Sequence, residues 1–210
     1  KWTHESLDAA LSLHELEISR EEKQRLSDIV WNFRDCFSTN KFDLGTCTTY
    51  KAKIELKKDY VAKWIPSRPV PYKLQPHMDA EIKGLLKAKV IEPCNVQSKW
   101  NSQIFLVEKN EPGKFRFVCD MRSANSQCLP DSYELSNINH VLDKVGRCKY
   151  WSSLDFTQSF HQIEYEESSK PICAFMYKGM RYMFSKMAMG HRNSSSNFSR
   201  MLDKLLCTVP

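Results

Sequence analysis

At 210 residues the chain can bury the core of one or two domains. Hydrophobic residues make up 41% and charged residues 27%, an ordinary globular balance, and no stretch reaches the apolar length of a membrane span. The formal net charge of +6 suits a polyanionic partner, although a plain solvated surface gives the same balance. The opening Lys1-Trp-Thr-His-Glu5 has neither an initiator Met nor the apolar middle of a signal peptide, so a piece of something longer is expected. The eight cysteines, Cys36, Cys47, Cys94, Cys119, Cys128, Cys148, Cys173 and Cys207, include no C-x-x-C pair. A structural zinc site is therefore not expected, and all eight are read as reduced and mostly structural.

The first third reads as helical. Leu7, Leu11 and Leu13 hint at a short helix, and Ser19 with Glu22 forms a capping box before a longer one. Leu26, Ile29, Val30, Phe33 and Phe37 recur on one face of that helix and predict a packing element. Asn40 to Cys47 reads as a turn, and Tyr50, Ala52, Ile54 and Leu56 alternate with polar residues as a strand does. Three prolines keep Trp64 to Tyr72 extended. Pro76 then opens a helix that turns Ile82, Leu85 and Leu86 inward.

Two strands, Gln103 to Lys109 and Lys114 to Cys119, flank Asn110-Glu-Pro-Gly113 and predict a hairpin. Ser136 is expected to cap a short helix through Val145 that Gly146 ends. A strand is predicted over Lys149 to Leu154, and a second hairpin around Lys178-Gly179. The last helix, Asn193 to Leu206, is expected to bury Phe198, Leu202 and Leu205. Hairpins and helices without βαβ alternation predict an α+β fold.

The segment of most chemical interest is Tyr150-Trp-Ser-Ser-Leu-Asp155-Phe-Thr-Gln-Ser-Phe160-His-Gln-Ile163. It sets a carboxylate at the end of an apolar strand pattern, where a divalent cation and a triphosphate can both be reached. On spacing alone, an ordinary strand-to-turn Asp fits as well. The ordered blocks around it go further. Trp100 to Val107, Lys114-Phe-Arg-Phe-Val-Cys-Asp120-Met-Arg122-Ser-Ala-Asn125, Leu129 to Tyr133, Leu142 to Gly146, Leu154-Asp155 and His161 to Ile163 resemble, in order and spacing, the reverse transcriptases of gypsy-like LTR retrotransposons. Arg68-Pro-Val-Pro-Tyr72 and the helix ending in Phe33 to Phe37 resemble the family's region between protease and polymerase.

That resemblance implies the fingers and first part of the palm of a right-hand polymerase, divided as a pre-polymerase region 1–60, fingers 61–148 and palm 149–210. It implies Asp155 as the first catalytic carboxylate and metal ligand of a two-Mg²⁺ mechanism. Phe160 would be the steric gate against a 2′-hydroxyl, with a core aromatic as the plainer reading. Lys109, Arg116 and Gly190 would serve the nucleotide, although Lys and Arg are commonplace on exposed hairpins. Arg122 and Asn125 would touch the template, while Asp120 with Arg122 equally suits a structural ion pair. The implied partners are an RNA template, a DNA primer, deoxynucleoside triphosphates and the carboxy-terminal part of the polyprotein, with no membrane. The implied location is a cytoplasmic retrotransposon particle or the nucleus.

Three departures qualify the likeness. The family's Tyr-x-Asp-Asp turn does not occur before Pro210, and no Asp-Asp pair occurs in the chain, so the 210-residue polypeptide alone is expected not to polymerise. The family's "MPFGLTNAPATF" reads here as Met187 to Phe198, with Ala188 and Ser195 for the prolines and His191 for Leu. The loss of two prolines leaves the stiffness of this turn to other contacts, and Ser194 to Ser196 are expected to cap the helix. The family's Lys-Leu pair is Ser123-Ala124 here. Three readings follow: part of an RNA-directed DNA polymerase, a degenerate or host-adopted module that binds RNA or an RNA–DNA hybrid without catalysis, and a protein-interaction remnant that needs only the fold.

Overall fold

The computed structural model describes residues 1–133 and 137–207, and divides into two compact units, Lys1–Gly45 and Thr46–Pro210. In the first unit, α1 (His4–Ala10) and α2 (Arg20–Asn32) each begin with a capping box, Thr3 with Ser6 and Ser19 with Glu22. Each box satisfies backbone N–H groups that the helix itself leaves free. Leu7 and Leu13 are buried between the helices. The buried residue of α2 is Ser27, whose hydroxyl donates to Asp8 at 2.6 Å and lies 3.3 Å from His4 Nδ1. The stripe expected to pack does so only in part: Leu26, Val30 and Phe37 are half-buried, while Ile29 is 55% and Phe33 63% exposed. A seven-residue α1 meets α2 along the Ser27 line and is too short to cover a full apolar face.

The second unit holds three small sheets. A hairpin of β3 (Ile104–Glu108) and β4 (Phe115–Cys119) forms one. In another, β2 (Ile91–Pro93), β7 (Met180–Phe184) and β6 (Ala174–Tyr177) lie antiparallel with β7 central. The third is a two-residue parallel pairing of β1 (Lys51–Ala52) with β5 (Glu164–Tyr165). Strands and helices are thus mixed without βαβ alternation, an α+β fold as expected. Both hairpin turns carry the residues that their geometry demands: Gly113 at φ +76°, and Lys178 with Gly179 at φ +46° and +75°. Two successive positive φ values match the right-handed twist of the flanking strands.

The helix α3 (Gln75–Lys87), opened by Pro76, buries Met78, Ile82 and Leu85. Its Asp79 accepts hydrogen bonds from Tyr177 Oη and Lys178 Nζ, both at 2.8 Å, so the helix is fastened to the β6–β7 turn. The core centres on Phe175, whose ring lies 5.6–5.9 Å from those of Phe117, Tyr182 and Phe184, a spacing at which tilted aromatics attract. The alternation at 50–56 holds, with Ala52 and Ile54 buried, although only Lys51–Ala52 pairs as a strand. After β4 comes the single-turn α4 (Arg122–Asn125).

Other expectations for this unit fail or fall outside the described residues. Residues 149–154 form no strand; Tyr150, Trp151 and Leu154 are 62%, 69% and 77% exposed. A strand exists only by hydrogen-bonding to a neighbour, and among the described residues no strand lies beside this segment. The helix α5 (Ile138–Val145) is capped by the Asn137 side chain on the N–H of Asn139; the proposed cap Ser136 lies outside the described residues. The helix α6 (Ser194–Leu206) buries Ser194, Asn197 and Met201, not Phe198, Leu202 and Leu205. None of its leading serines caps it, and Asn193 precedes it without a side-chain cap. The face turned inward is chosen by polar partners: Asn197 accepts from Tyr50 Oη at 2.5 Å and donates to the Asn193 carbonyl at 2.8 Å.

All eight cysteines are free thiols. Burial pushes Cys119 up to about 12 and Cys128 up to about 11, as inert core thiols should be. Two buried histidines give the fold its acid sensitivity. Burial, aided by Lys186 for His161 and by Arg192 for His191, lowers each to about 4. An unfolded imidazole protonates near pH 6.5, so the unfolded state gains protons first as the solution is acidified. Stability is therefore complete above about pH 6.5 and falls as pH drops toward 4, by roughly 2 kcal/mol per ring at about pH 5. Urea unfolding at about pH 7 and pH 5 should show this loss, and His191→Leu should remove about half of it.

Candidate nucleotide and nucleic-acid site

Strand alternation decides which side chains the β3–β4 hairpin offers to solvent. Val107 faces Arg116 across the ladder, and Phe105 faces Val118. The Lys109 N–H continues the pairing to the Lys114 carbonyl at 2.8 Å. Lys109, Val107 and Phe105 on one strand and Arg116 on the other therefore share the outward face, and all four are exposed. The opposite face sends Ile104 and Cys119 into the core. The two expected phosphate contacts thus stand together as cations on an apolar, solvent-facing ribbon.

The next expected contacts follow directly. Arg122, 89% exposed at its side chain, grips the Asp120 carboxylate with Nε at 2.9 Å and Nη2 at 2.6 Å. Arg122 holds the Asp120 carboxyl below the usual carboxylate range. Both residues line a cleft of about 440 Å³ between the extended Arg68–Pro71 stretch and Gln103–Leu106. Asn125 turns the other way: Nδ2 donates to the Gly190 carbonyl at 2.8 Å, and Oδ1 accepts the Arg192 N–H at 2.9 Å. Gly190 has φ +85°, a conformation that a side chain would strain.

Asp155 is exposed, and among the described residues it has no hydrogen bond or ion pair. What fixes its neighbourhood is aromatic. Phe156 and Phe160 both meet the ring of Phe198 on α6 edge to face, at 5.5 and 6.0 Å. Phe160, half-buried, sits on a 3-10 turn, Ser159–Gln162. A chain of contacts thus joins the candidates: β4 leads into α4, Asn125 holds the Gly190 turn, that turn leads into α6, and Phe198 anchors 156–160. Among the described residues no group of three or more His, Cys, Asp or Glu side chains could hold a metal ion. Asp155 is the accessible carboxylate within this network, and a metal pair would need further acidic ligands.

Sequence reasoning missed the polar cluster beneath α6. Arg200 binds Asp131 through both guanidinium nitrogens at 2.8 Å and lies over the Tyr133 ring at 4.6 Å. Tyr133 Oη also bonds Asp203, and Asn193 bridges the Leu129 carbonyl and the Asp131 N–H. These contacts span more than sixty residues of sequence, so no local spacing announces them. They fix the link between α4 and α5 against α6.

Comparisons with known proteins agree with this geometry. The family described as reverse transcriptase (RNA-dependent DNA polymerase) matches residues 107–210. The Pol polyproteins of the Drosophila melanogaster transposons 412 and gypsy are 31% and 30% identical over 86% and 88% of the chain. The chain spans 15% and 18% of the length of these two relatives. Among solved structures, foamy viral protease-reverse transcriptase in complex with double-stranded DNA superposes at a TM-score of 0.83. It is 23% identical, over all of this chain and 43% of the other. A mutant of the prototype foamy virus protease-reverse transcriptase gives 0.82 at 22% identity, over 99% of this chain and 27% of that one. At such identities the likeness establishes the fold, fingers and partial palm. By sequence and fold together, the chain belongs to the reverse transcriptase family of gypsy-like LTR retrotransposons.

Proposed function

We propose that the protein to which this chain belongs carries out template-directed deoxynucleotidyl transfer on an RNA template and a DNA primer. The observation that carries this reading is the contact chain from the cationic hairpin face, through the Gly190 turn and Phe198, to an unpaired Asp155. A pair of Mg²⁺ ions, bound there, would activate the primer hydroxyl and neutralise developing charge on the triphosphate. Asp155 would be one ligand, and the remaining carboxylates belong to other parts of the whole protein. Lys109 and Arg116 would meet phosphate oxygens, Arg116 through two parallel N–H donors. Phe160, fixed edge-on against Phe198, would fill the space that a ribose 2′-hydroxyl needs. Arg122 would stand at the template side, where its guanidinium, held by Asp120, keeps outward N–H groups for phosphate.

A second reading, nucleic-acid binding without catalysis, draws on the exposed Arg192 in a turn that departs from the family pattern. It predicts hybrid binding that falls steeply with salt and no incorporation.

Three substitutions in the whole protein test the first reading. Asp155→Asn should cut deoxynucleotide incorporation by about a thousandfold, as loss of several kcal/mol of metal-borne stabilisation implies. Gel-shift affinity for an RNA–DNA hybrid should change less than about twofold, because the carboxylate contacts metal and not phosphate. Retained activity would remove Asp155 from the site. Phe160→Ala should raise ribonucleotide use relative to deoxynucleotide by about tenfold or more in competition assays. Unchanged sugar selectivity would reduce Phe160 to a packing residue. Lys109→Ala and Arg116→Ala should each raise the KM for deoxynucleotides about tenfold in steady-state kinetics, the cost of a charge-assisted hydrogen bond. An unaltered KM would place both outside the nucleotide site.

A further inference from the structure

The backbone between β7 and α6 turns at Gly190, and α4 lies against that turn. Asn125 is half-buried, and its amide uses one end for the Gly190 carbonyl and the other for the Arg192 N–H. A side-chain amide supplies a donor and an acceptor on one rigid plane, so a single residue fixes two peptide units of the turn. The turn answers in kind. Arg192 Nη1 reaches the carbonyls of Asn125 and Cys128 at 3.4 Å, at the end of a helix whose last carbonyls lack intrahelical partners. Below them His191 is buried, with Nε2 3.7 Å from Cys128 Sγ. The Ser194 hydroxyl donates to the Ala188 carbonyl at 3.2 Å. The stretch 188–194 is therefore held from α4, from the core and from its own helix.

We infer that Asn125 is a positioning residue for the incoming nucleotide, acting through the Gly190 turn, and that it is not a contact to the template as its place in the sequence block implies. The inference rests on the polymerase reading of the site. Both ends of the amide are committed inside the protein. These two bonds fix the plane of the amide, so its second N–H and second lone pair can swing toward a template strand only by breaking one of them, whereas Arg122 beside it is exposed and offers N–H donors without such a cost. Loss of the amide would free Gly190 and Arg192 to sample other geometries, and the nucleotide would have to select the competent one.

The test compares Asn125→Ala, which loses both bonds, with Asn125→Asp, which keeps the acceptor for the Arg192 N–H. In steady-state kinetics of the whole polymerase, the KM for deoxynucleotides should rise about tenfold in the first and less in the second. The kcat should change less than KM, and the Kd for an RNA–DNA hybrid should stay unchanged. Hydrogen exchange read by mass spectrometry should speed up over 188–193 in Asn125→Ala and leave the β3–β4 amides as they were. Weaker hybrid binding with an unaltered KM, or unaltered exchange over the turn, would overturn the inference. A wild-type protein without incorporation would sink the polymerase reading, and the nucleotide role of Asn125 with it. Faster exchange would still register the clamp as a structural fact.

Discussion

The Ser102 N–H donates to the Ala174 carbonyl at 2.9 Å, and the placement of the hairpin that carries Lys109 and Arg116 depends on that joint. It ties the start of the β3–β4 hairpin to β6 of the three-stranded sheet, in a parallel bridge to Phe175. A two-stranded hairpin has too little of its own to bury and is marginal in water. Here it leans on Phe175 through Phe117 at 5.9 Å, and on its own base through the Asp120 N–H to the Gln103 carbonyl at 2.8 Å. Asn101, immediately before the joint, is 1% exposed and donates to the Ile65 carbonyl, which pins the proline-rich stretch alongside. A buried amide is costly unless paired; here Nδ2 is paired, while Oδ1 has no hydrogen-bond partner among the described residues. The hairpin's cations are thus presented by a strand whose root is fixed in the core.

Charge is distributed with the same economy. Asp120 and Asp131 each meet an arginine through two nitrogens, and both carboxyls are held below the ordinary range by that partner. Asp79 is satisfied by Lys178 and Tyr177. Among the described residues Asp155 has no such partner. A carboxylate already bonded to a guanidinium would have to surrender that bond before ligating a cation, whereas a solvated one gives up only water. The difference separates Asp79, Asp120 and Asp131, whose bonds set the frame, from an exposed Asp155 that makes no such bond among the described residues.

What was legible in the sequence was what short-range physics decides. Capping boxes fixed the start of α2, Pro76 that of α3, and Pro-Gly and Lys-Gly steps the two hairpins. Alternation found Ala52 and Ile54 inside. The family block placed Lys109 and Arg116, and the ladder then put them on one face. What remained hidden depends on partners distant in sequence. The apolar run 149–154 reads as a strand, yet a strand is a property of a pair, and its neighbours are not among the described residues. The face of α6 was misjudged because hydrophobicity favoured Phe198, Leu202 and Leu205. Tyr50 and the Asn193 carbonyl, by contrast, select Asn197 for the interior. The anchoring of Asn125 was hidden for a related cause: its partner Gly190 lies 65 positions further on.

The altered turn before α6 shows how one geometry can be specified by different physics. Proline stiffens a turn by restricting the unfolded chain and contributes no hydrogen bond of its own. At position 188 this chain has alanine, and the N–H that proline would lack donates to Tyr165 Oη at 3.2 Å. Tyr165 is 1% exposed, so its hydroxyl needs a partner, and Ala188 supplies one. Restoring proline at 188 would stiffen the backbone while removing that donor, and the loss of a buried pairing outweighs the entropic gain at roughly 1–3 kcal/mol against 0.4–1. The substitution is therefore matched to its surroundings. Rigidity that proline would supply through the unfolded state is supplied here through native contacts: Tyr165 to Ala188, Asn125 to Gly190 and Arg192, and Ser194 to Ala188. A turn held in that manner can be loosened one contact at a time, and its stiffness is set by the residues around it more than by its own backbone.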